Sequence, residues 1–136
     1  MKPLGIGIDI VEINRFKKSL RNKKKSILNR LFTKKEILIC GKKKLYINCF
    51  TKRFAAKEAL VKALGTGFRK NINFKDIEIK NNTYGKPYFT INSKLKNKMS
   101  KTLGTKKFKV FLSMSDEKNY AIANVLIFSK NNFFII

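Results

Sequence analysis

The stretch LGIGIDIV at residues 4–11 limits the fold more than any other part of the chain. Apolar residues alternate there with Gly5, Gly7 and Asp9. That period of two belongs to a β-strand, and its glycines mark a face packed too closely for side chains. Asp9 interrupts this face with a carboxylate. A carboxylate inside an apolar strand is costly to bury unless it is paired with a cationic side chain or binds a cation.

A second constraint comes from the run RFAAKEALVKALGTG at residues 53–67, within a long helix expected from about Asn48 to Leu64. Ala56, Ala59, Leu60 and Ala63 share one side of that helix, with Leu64 at its edge. Small residues there let the helix sit close against a sheet. Phe54, Glu58 and Val61 fall on the opposite side, flanked by Lys57 and Lys62. An idle solvent face does not need an aromatic ring and a valine, so this side is read as meeting a ligand or another chain. Glu58 and Lys62 also have the spacing of a helical ion pair, worth only about 0.2–0.5 kcal/mol. On the helix alone, the two readings of Glu58 are even.

The remaining pattern is α+β. Helical spacing runs from Glu12 to about Arg21, and the basic loop 21–25 precedes a short helix at Ser26–Phe32. Thr33 and Glu36 have capping-box spacing for a helix through Ile39 that stops near Gly41. Lys42–Lys44 form a second basic loop. In the second half, Phe74–Lys80 and Pro87–Ile91 alternate as strands, and Ser93–Leu103 is a basic amphipathic helix. Lys109–Ser115 and Tyr120–Phe128 form a further hairpin, before the apolar tail NNFFII. No repeat or linker divides the chain. The expectation is a single domain over residues 1–136, with a mainly antiparallel sheet packed on a long helix.

Composition narrows the chemistry. The chain has 136 residues and no histidine, which excludes a Ser-His-Asp or Cys-His site and any histidine-bound metal. Cys40 and Cys49 fit no metal-ligand spacing and read as reduced, partly buried thiols. No apolar run approaches the ~20 residues of a membrane-spanning helix, and the amino terminus enters a strand directly, which points to a cytoplasmic protein. The net charge is +24, carried by 27 Lys and 5 Arg. Such a surface selects an acidic partner. A hard cation held by carboxylates remains open as a metal, and Asp9 with Glu58 is the minimal protein contribution to a Mg²⁺ site. Arg53, Lys57 and Lys62 would then complement a polyphosphate beside it.

Four motifs, in this order, carry a resemblance: GIGIDIVEINRF, KRFAAKEALVKALGTG, GKPYF and LSMSDEKNYAIANVLI. The chain resembles the holo-[acyl-carrier-protein] synthase family of 4'-phosphopantetheinyl transferases from residue 4 to about 128. That resemblance implies transfer of the 4'-phosphopantetheine arm of coenzyme A to a serine of apo acyl carrier protein, releasing adenosine 3',5'-bisphosphate. It implies a phosphopantetheinyl transferase-like fold, Mg²⁺ on Asp9 and Glu58, and catalytic roles for Glu58 and Lys62. It further implies coenzyme contacts from Arg53, Lys57, Lys62 and Gly65, and docking of the acidic carrier protein at Arg15. A homotrimer with sites between subunits is expected, in contact with neither a membrane nor a specific nucleic acid. The chain departs from the family at Phe111, where many relatives carry histidine, and Phe111 is expected to shape the coenzyme pocket by packing. The competing class is a small basic nucleic-acid-binding protein. Against it, the lysines are spread along the whole chain and the aromatics lie in apolar patterns, while Asp9 and Glu58 are left unexplained.

Overall fold

The structure is a computed structural model that describes residues 1–68 and 71–130. The opening alternation forms β1 (Pro3–Glu12), followed by three short helices, α1 (Ile13–Ser19), α2 (Lys24–Leu31) and α3 (Lys34–Gly41). The long helix α4 (Tyr46–Leu64) leads through a 3-10 turn (Phe74–Asp76) into the hairpin β2 (Glu78–Asn81) and β3 (Pro87–Thr90). Helix α5 (Ser93–Leu103) precedes a second hairpin, β4 (Phe108–Asp116) and β5 (Tyr120–Ser129). The α+β class holds, and every strand pair is antiparallel.

The main sheet has the order β1-β5-β4, so the first strand pairs with the last. Gly7 lies opposite Val125, and Asp9 opposite Ala123. Helix α4 crosses the inner face of this sheet, where the glycines decide the approach. A Cβ on Gly5 would stand 2.1 Å from the carbonyl oxygen of Ala63, and one on Gly7 only 1.9 Å from that of Ala59. The small residues of strand and helix therefore form one contact, backbone against backbone. Ala123, Val125 and Ile127 complete the inner layer beside them, all essentially without exposure.

Twelve of the 19 residues of α4 are buried, which makes it the central helix of the fold. Val61, expected on an open side, has no exposed surface. A second apolar cluster, including Phe16, Phe32 and Phe50, fills the space between α4 and the short helices. Gly65 ends α4 in the left-handed region at φ 75°, with its N–H donating to the Lys62 carbonyl. A residue with a Cβ is strained at that φ, which accounts for glycine there.

Several expectations from the sequence need correction. Phe74–Asp76 is a 3-10 turn and not strand, because Asn73 and Asp76 cap it reciprocally. Helix α2 starts at Lys24, inside the stretch read as a basic loop. Cys40 and Cys49 are not separate thiols but a disulfide. The turn between α3 and α4 folds the end of one helix back onto the start of the next, bringing the two Cα atoms within 5.5 Å. The Thr33–Glu36 capping box is present with both of its bonds. The expectation for NNFFII lies outside the described residues. No helix among the described residues is long and apolar enough to cross a membrane.

Candidate active site

Strand β1 and helix α4 bring Asp9 and Glu58 into one cleft of about 520 Å³, which Arg15, Phe16 and Phe54 also line. The placement follows from the close contact of the two elements. With Gly5 and Gly7 seated on Ala63 and Ala59, the next inward position of β1 is Asp9, which comes within reach of the helix side chains Glu58 and Lys62. Asp9 is half-buried, and Lys62 donates to its Oδ1 at 2.9 Å and to the carbonyl of Ile8 at 3.1 Å. Lys62 thus pairs across elements with Asp9. Burial raises the Glu58 carboxyl above the usual carboxylate range, the Asp9 charge adds to this, and Lys62 opposes it. Burial is the main cause of this shift, and the smaller Asp9 contribution shows that the two carboxylates lie close enough to feel one another.

The donor set is hard oxygen, with room beside it. Among the described residues, no group of three or more acidic, cysteine or histidine side chains is assembled. Two carboxylates at an open cleft fit an ion that keeps waters and takes other ligands from a phosphate, as Mg²⁺ does.

A second and larger cleft, of about 1030 Å³, lies beside the amino-terminal half of α4. Its cationic lining comes from Lys35, Lys43, Lys44, Lys52, Arg53 and Lys80. Lys52 is partly neutralised by Asp116 at 3.1 Å, which also accepts from Asn48 at 2.8 Å. Arg53 is 3% exposed and is oriented by Asn81 Oδ1 at 2.8 Å and Cys49 Sγ at 3.2 Å. Its Nε is buried without a partner. Burial lowers the Arg53 pKa and Glu36 opposes it, which leaves a guanidinium held in a drier environment than water offers.

The structure brings together Asp9, Glu58, Lys62 and Arg15, and it puts Arg53 in the wall of the neighbouring basic cleft. Lys57 is elsewhere, and this corrects the expectation that it touches coenzyme phosphates. Its side chain is wholly buried, and its ammonium donates to Glu36 Oε1 at 2.6 Å, Leu31 O at 2.8 Å and Phe74 O at 3.0 Å. All three of its protons are used inside the protein. Gly65 lines neither cleft and serves as the end of α4. Glu36 is the residue that the capping box announced without its second role. Besides Thr33 N–H it accepts from Lys57 and, through Oε2, from Ile79 N–H at 3.2 Å. Nothing in the sequence singled out Asn81.

Phe111 lies on the outer side of the sheet. Its ring meets Phe128 edge-on at 5.8 Å, and the Lys109 ammonium stands 5.0 Å from its centre. It shares this outer side with Ile6, Ile8 and Ile10, which are 69%, 56% and 63% exposed.

A β-strand and a close-packed helix here converge two carboxylates and a lysine next to a basic cleft, an arrangement suited to phosphorylated ligands. The family model of the 4'-phosphopantetheinyl transferase superfamily matches residues 5–125, and the chain belongs to that superfamily. It is 48% identical over 130 residues to the holo-[acyl-carrier-protein] synthase of Pelagibacter ubique, covering 96% of this chain and 100% of that one. The crystal structure of the same enzyme from Neisseria meningitidis superposes with a TM-score of 0.83 at 35% identity, over 93% of this chain and 99% of that one. The structure from Bacillus anthracis, in complex with CoA (3',5'-ADP), superposes with a TM-score of 0.77 at 34% identity, over 96% and 100% of the two chains. The chain is accordingly an enzyme of the holo-[acyl-carrier-protein] synthase type.

Proposed function

We propose that this chain transfers the 4'-phosphopantetheine arm from coenzyme A to the serine hydroxyl of apo acyl carrier protein, in a Mg²⁺-dependent reaction that releases adenosine 3',5'-bisphosphate. The observation that carries this reading is the convergence of Asp9 and Glu58 in one cleft, with Lys62 bonded to Asp9.

Asp9 and Glu58 are the residues that would hold the magnesium. When bound, that ion supplies positive charge that neutralises the pyrophosphate and stabilises the departing phosphate. The serine oxygen forms a bond to the phosphorus bearing the pantetheine, and the bridging oxygen leaves with adenosine 3',5'-bisphosphate. Glu58 accepts the serine proton, a role favoured by a carboxyl raised toward working pH. Lys62 is exposed, so its ammonium can turn from Asp9 to the pyrophosphate oxygens as charge gathers there. Arg53 and the lysines of the larger cleft hold the remaining phosphate charge.

Arg15 stands in the same cleft as the carboxylates, with exposed Lys17, Lys18 and Arg21 nearby in the chain. This surface fits an acidic carrier protein and steers it so that its serine reaches Glu58. Both substrates are water-borne, and the cytoplasm is the proposed compartment. The open isoleucine row of β1 supports assembly as a homotrimer, because an apolar face of that kind is suited to burial against another copy. Phe111 lies on that face and is proposed to pack where relatives carry histidine.

The direct test is mass spectrometry of apo acyl carrier protein incubated with coenzyme A, Mg²⁺ and this protein. The expected result is a gain equal to the phosphopantetheine arm, lost in Asp9→Ala and Glu58→Ala variants and on chelation of the metal. An unchanged carrier mass with the native chain would overturn the reading.

A further inference from the structure

We propose that Cys40 and Cys49 form a redox-modification site that sets the affinity of the basic cleft for its phosphorylated ligand. The clause about the ligand rests on the coenzyme A reading above, whereas the chemistry of the site does not.

Three observations converge on it. Cys40, near the end of α3, and Cys49, in the first turn of α4, are joined by a disulfide. The bridge therefore closes the turn at residues 42–45, whose Lys43 and Lys44 line the basic cleft. The two sulfurs are unequally reachable. Cys40 is completely buried, while Cys49 forms part of the cleft wall. Finally, the guanidinium of Arg53 lies 3.2 Å from Cys49 Sγ, and Arg53 lines the same cleft. The bridge thus ties the ends of the turn that carries two cleft lysines to a sulfur beside the buried cleft arginine.

Reduction by a small-molecule dithiol follows from this geometry. A reagent thiolate enters through the cleft and attacks Cys49 Sγ. The sulfur–sulfur bond breaks, and Cys40 leaves as a thiolate and takes a proton. The reagent's second thiolate then attacks its own sulfur in the mixed disulfide and releases Cys49. The dithiol becomes a cyclic disulfide, and the protein gains two electrons and two protons. In reducing compartments a protein disulfide is characteristically transient and sensing rather than structural. The oxidised form holds the turn and presents its lysines pre-ordered. The reduced form must order the turn on binding. Reduction therefore weakens binding.

Coenzyme A carries a thiol that would itself react, so the probe is adenosine 3',5'-bisphosphate. The full-length protein is prepared with a thiol oxidant or with dithiothreitol, and its free thiols are counted by alkylation and mass spectrometry. Nucleotide binding is measured by calorimetry on each form. The expected results are no alkylated cysteines after oxidation and two after reduction, with a Kd about 3–10-fold weaker in the reduced form. The Cys40→Ser/Cys49→Ser variant should bind with one Kd, close to the reduced value, under both treatments. Two free thiols after oxidation would overturn the proposal. So would equal Kd values in the two forms, or redox sensitivity that survives in the double variant. Failure of the functional reading is seen separately, as an unmodified carrier protein in the transfer assay.

Discussion

Lys62 and Asp9 meet across the contact of α4 on β1, ammonium to carboxylate at 2.9 Å, while Glu58 one turn earlier on the helix shares the cleft with Asp9. The lysine is half-exposed and the aspartate largely covered. The pair therefore holds the lysine ammonium at the cleft until a more highly charged ligand arrives. In the transfer assay, Lys62→Ala should lower kcat by about 10²–10³, the range for losing one donor aimed at developing charge. Lys62→Arg should restore part of that rate. Unchanged kcat in Lys62→Ala would remove the lysine from the chemistry.

The glycine contacts of β1 set the distance between strand and helix. Gly7→Ala places a methyl group 1.9 Å from a helix carbonyl that is itself part of the central helix, where neither backbone can yield cheaply. The expected cost is about 2–4 kcal/mol of unfolding free energy in urea titration, larger than an ordinary overpacked side chain inflicts. Since Asp9 lies two residues on, the folded fraction should also lose activity.

Lys57 and Glu36 form a buried ion pair at 2.6 Å. Removing one partner strands the other charge, so Lys57→Met should destabilise the protein by about 3–5 kcal/mol. Adding Glu36→Gln removes the stranded charge, while its one amide oxygen keeps an acceptor for only one of the Thr33 and Ile79 N–H groups, and should recover about 1 kcal/mol of that loss. Denaturant midpoints of the two single variants and the double variant provide the test.

Asp76 gives a pH signature. Burial would raise its carboxyl, but the Asn73 N–H, Lys94 and Lys98 outweigh burial and hold it below the usual carboxylate range. A folded-state value below the unfolded one means stability that is fully present above the unfolded carboxyl's range near pH ~4. It fades as pH falls through the lowered folded value. Asp76→Asn should therefore cost about 0.5–1 kcal/mol at neutral pH, modest because the lysine partners are partly in water. The gap between the two proteins should close in thermal melts on acidification.

The outer row Ile6, Ile8 and Ile10 predicts an oligomer. Ile8→Glu puts a charge at the middle of that row, and sedimentation should show the native chain as the proposed trimer and the variant as a monomer. The variant should still fold, because Ile8 is 56% exposed in the single chain.

Local periodicity by itself determined the strand at the start, the long helix, the α5 helix and the second hairpin, because each of these depends on which residues face which side of one element. The same spacing marked Asp9 as out of place and Ala59 and Ala63 as a close-packing edge. It also revealed the Thr33–Glu36 cap, a bond closed within four residues. Only the tertiary structure decided which elements meet. It joined the first strand to the last, seated Gly5 and Gly7 on the alanines, and thereby gave Lys62 to Asp9 rather than to Glu58. It enclosed Lys57 with Glu36, 21 residues away, and turned two apparently separate thiols into one bridge. A residue's spacing fixes its direction on its own helix or strand. The partner found in that direction is set by long-range packing, and there the close backbone contact at two glycines was decisive.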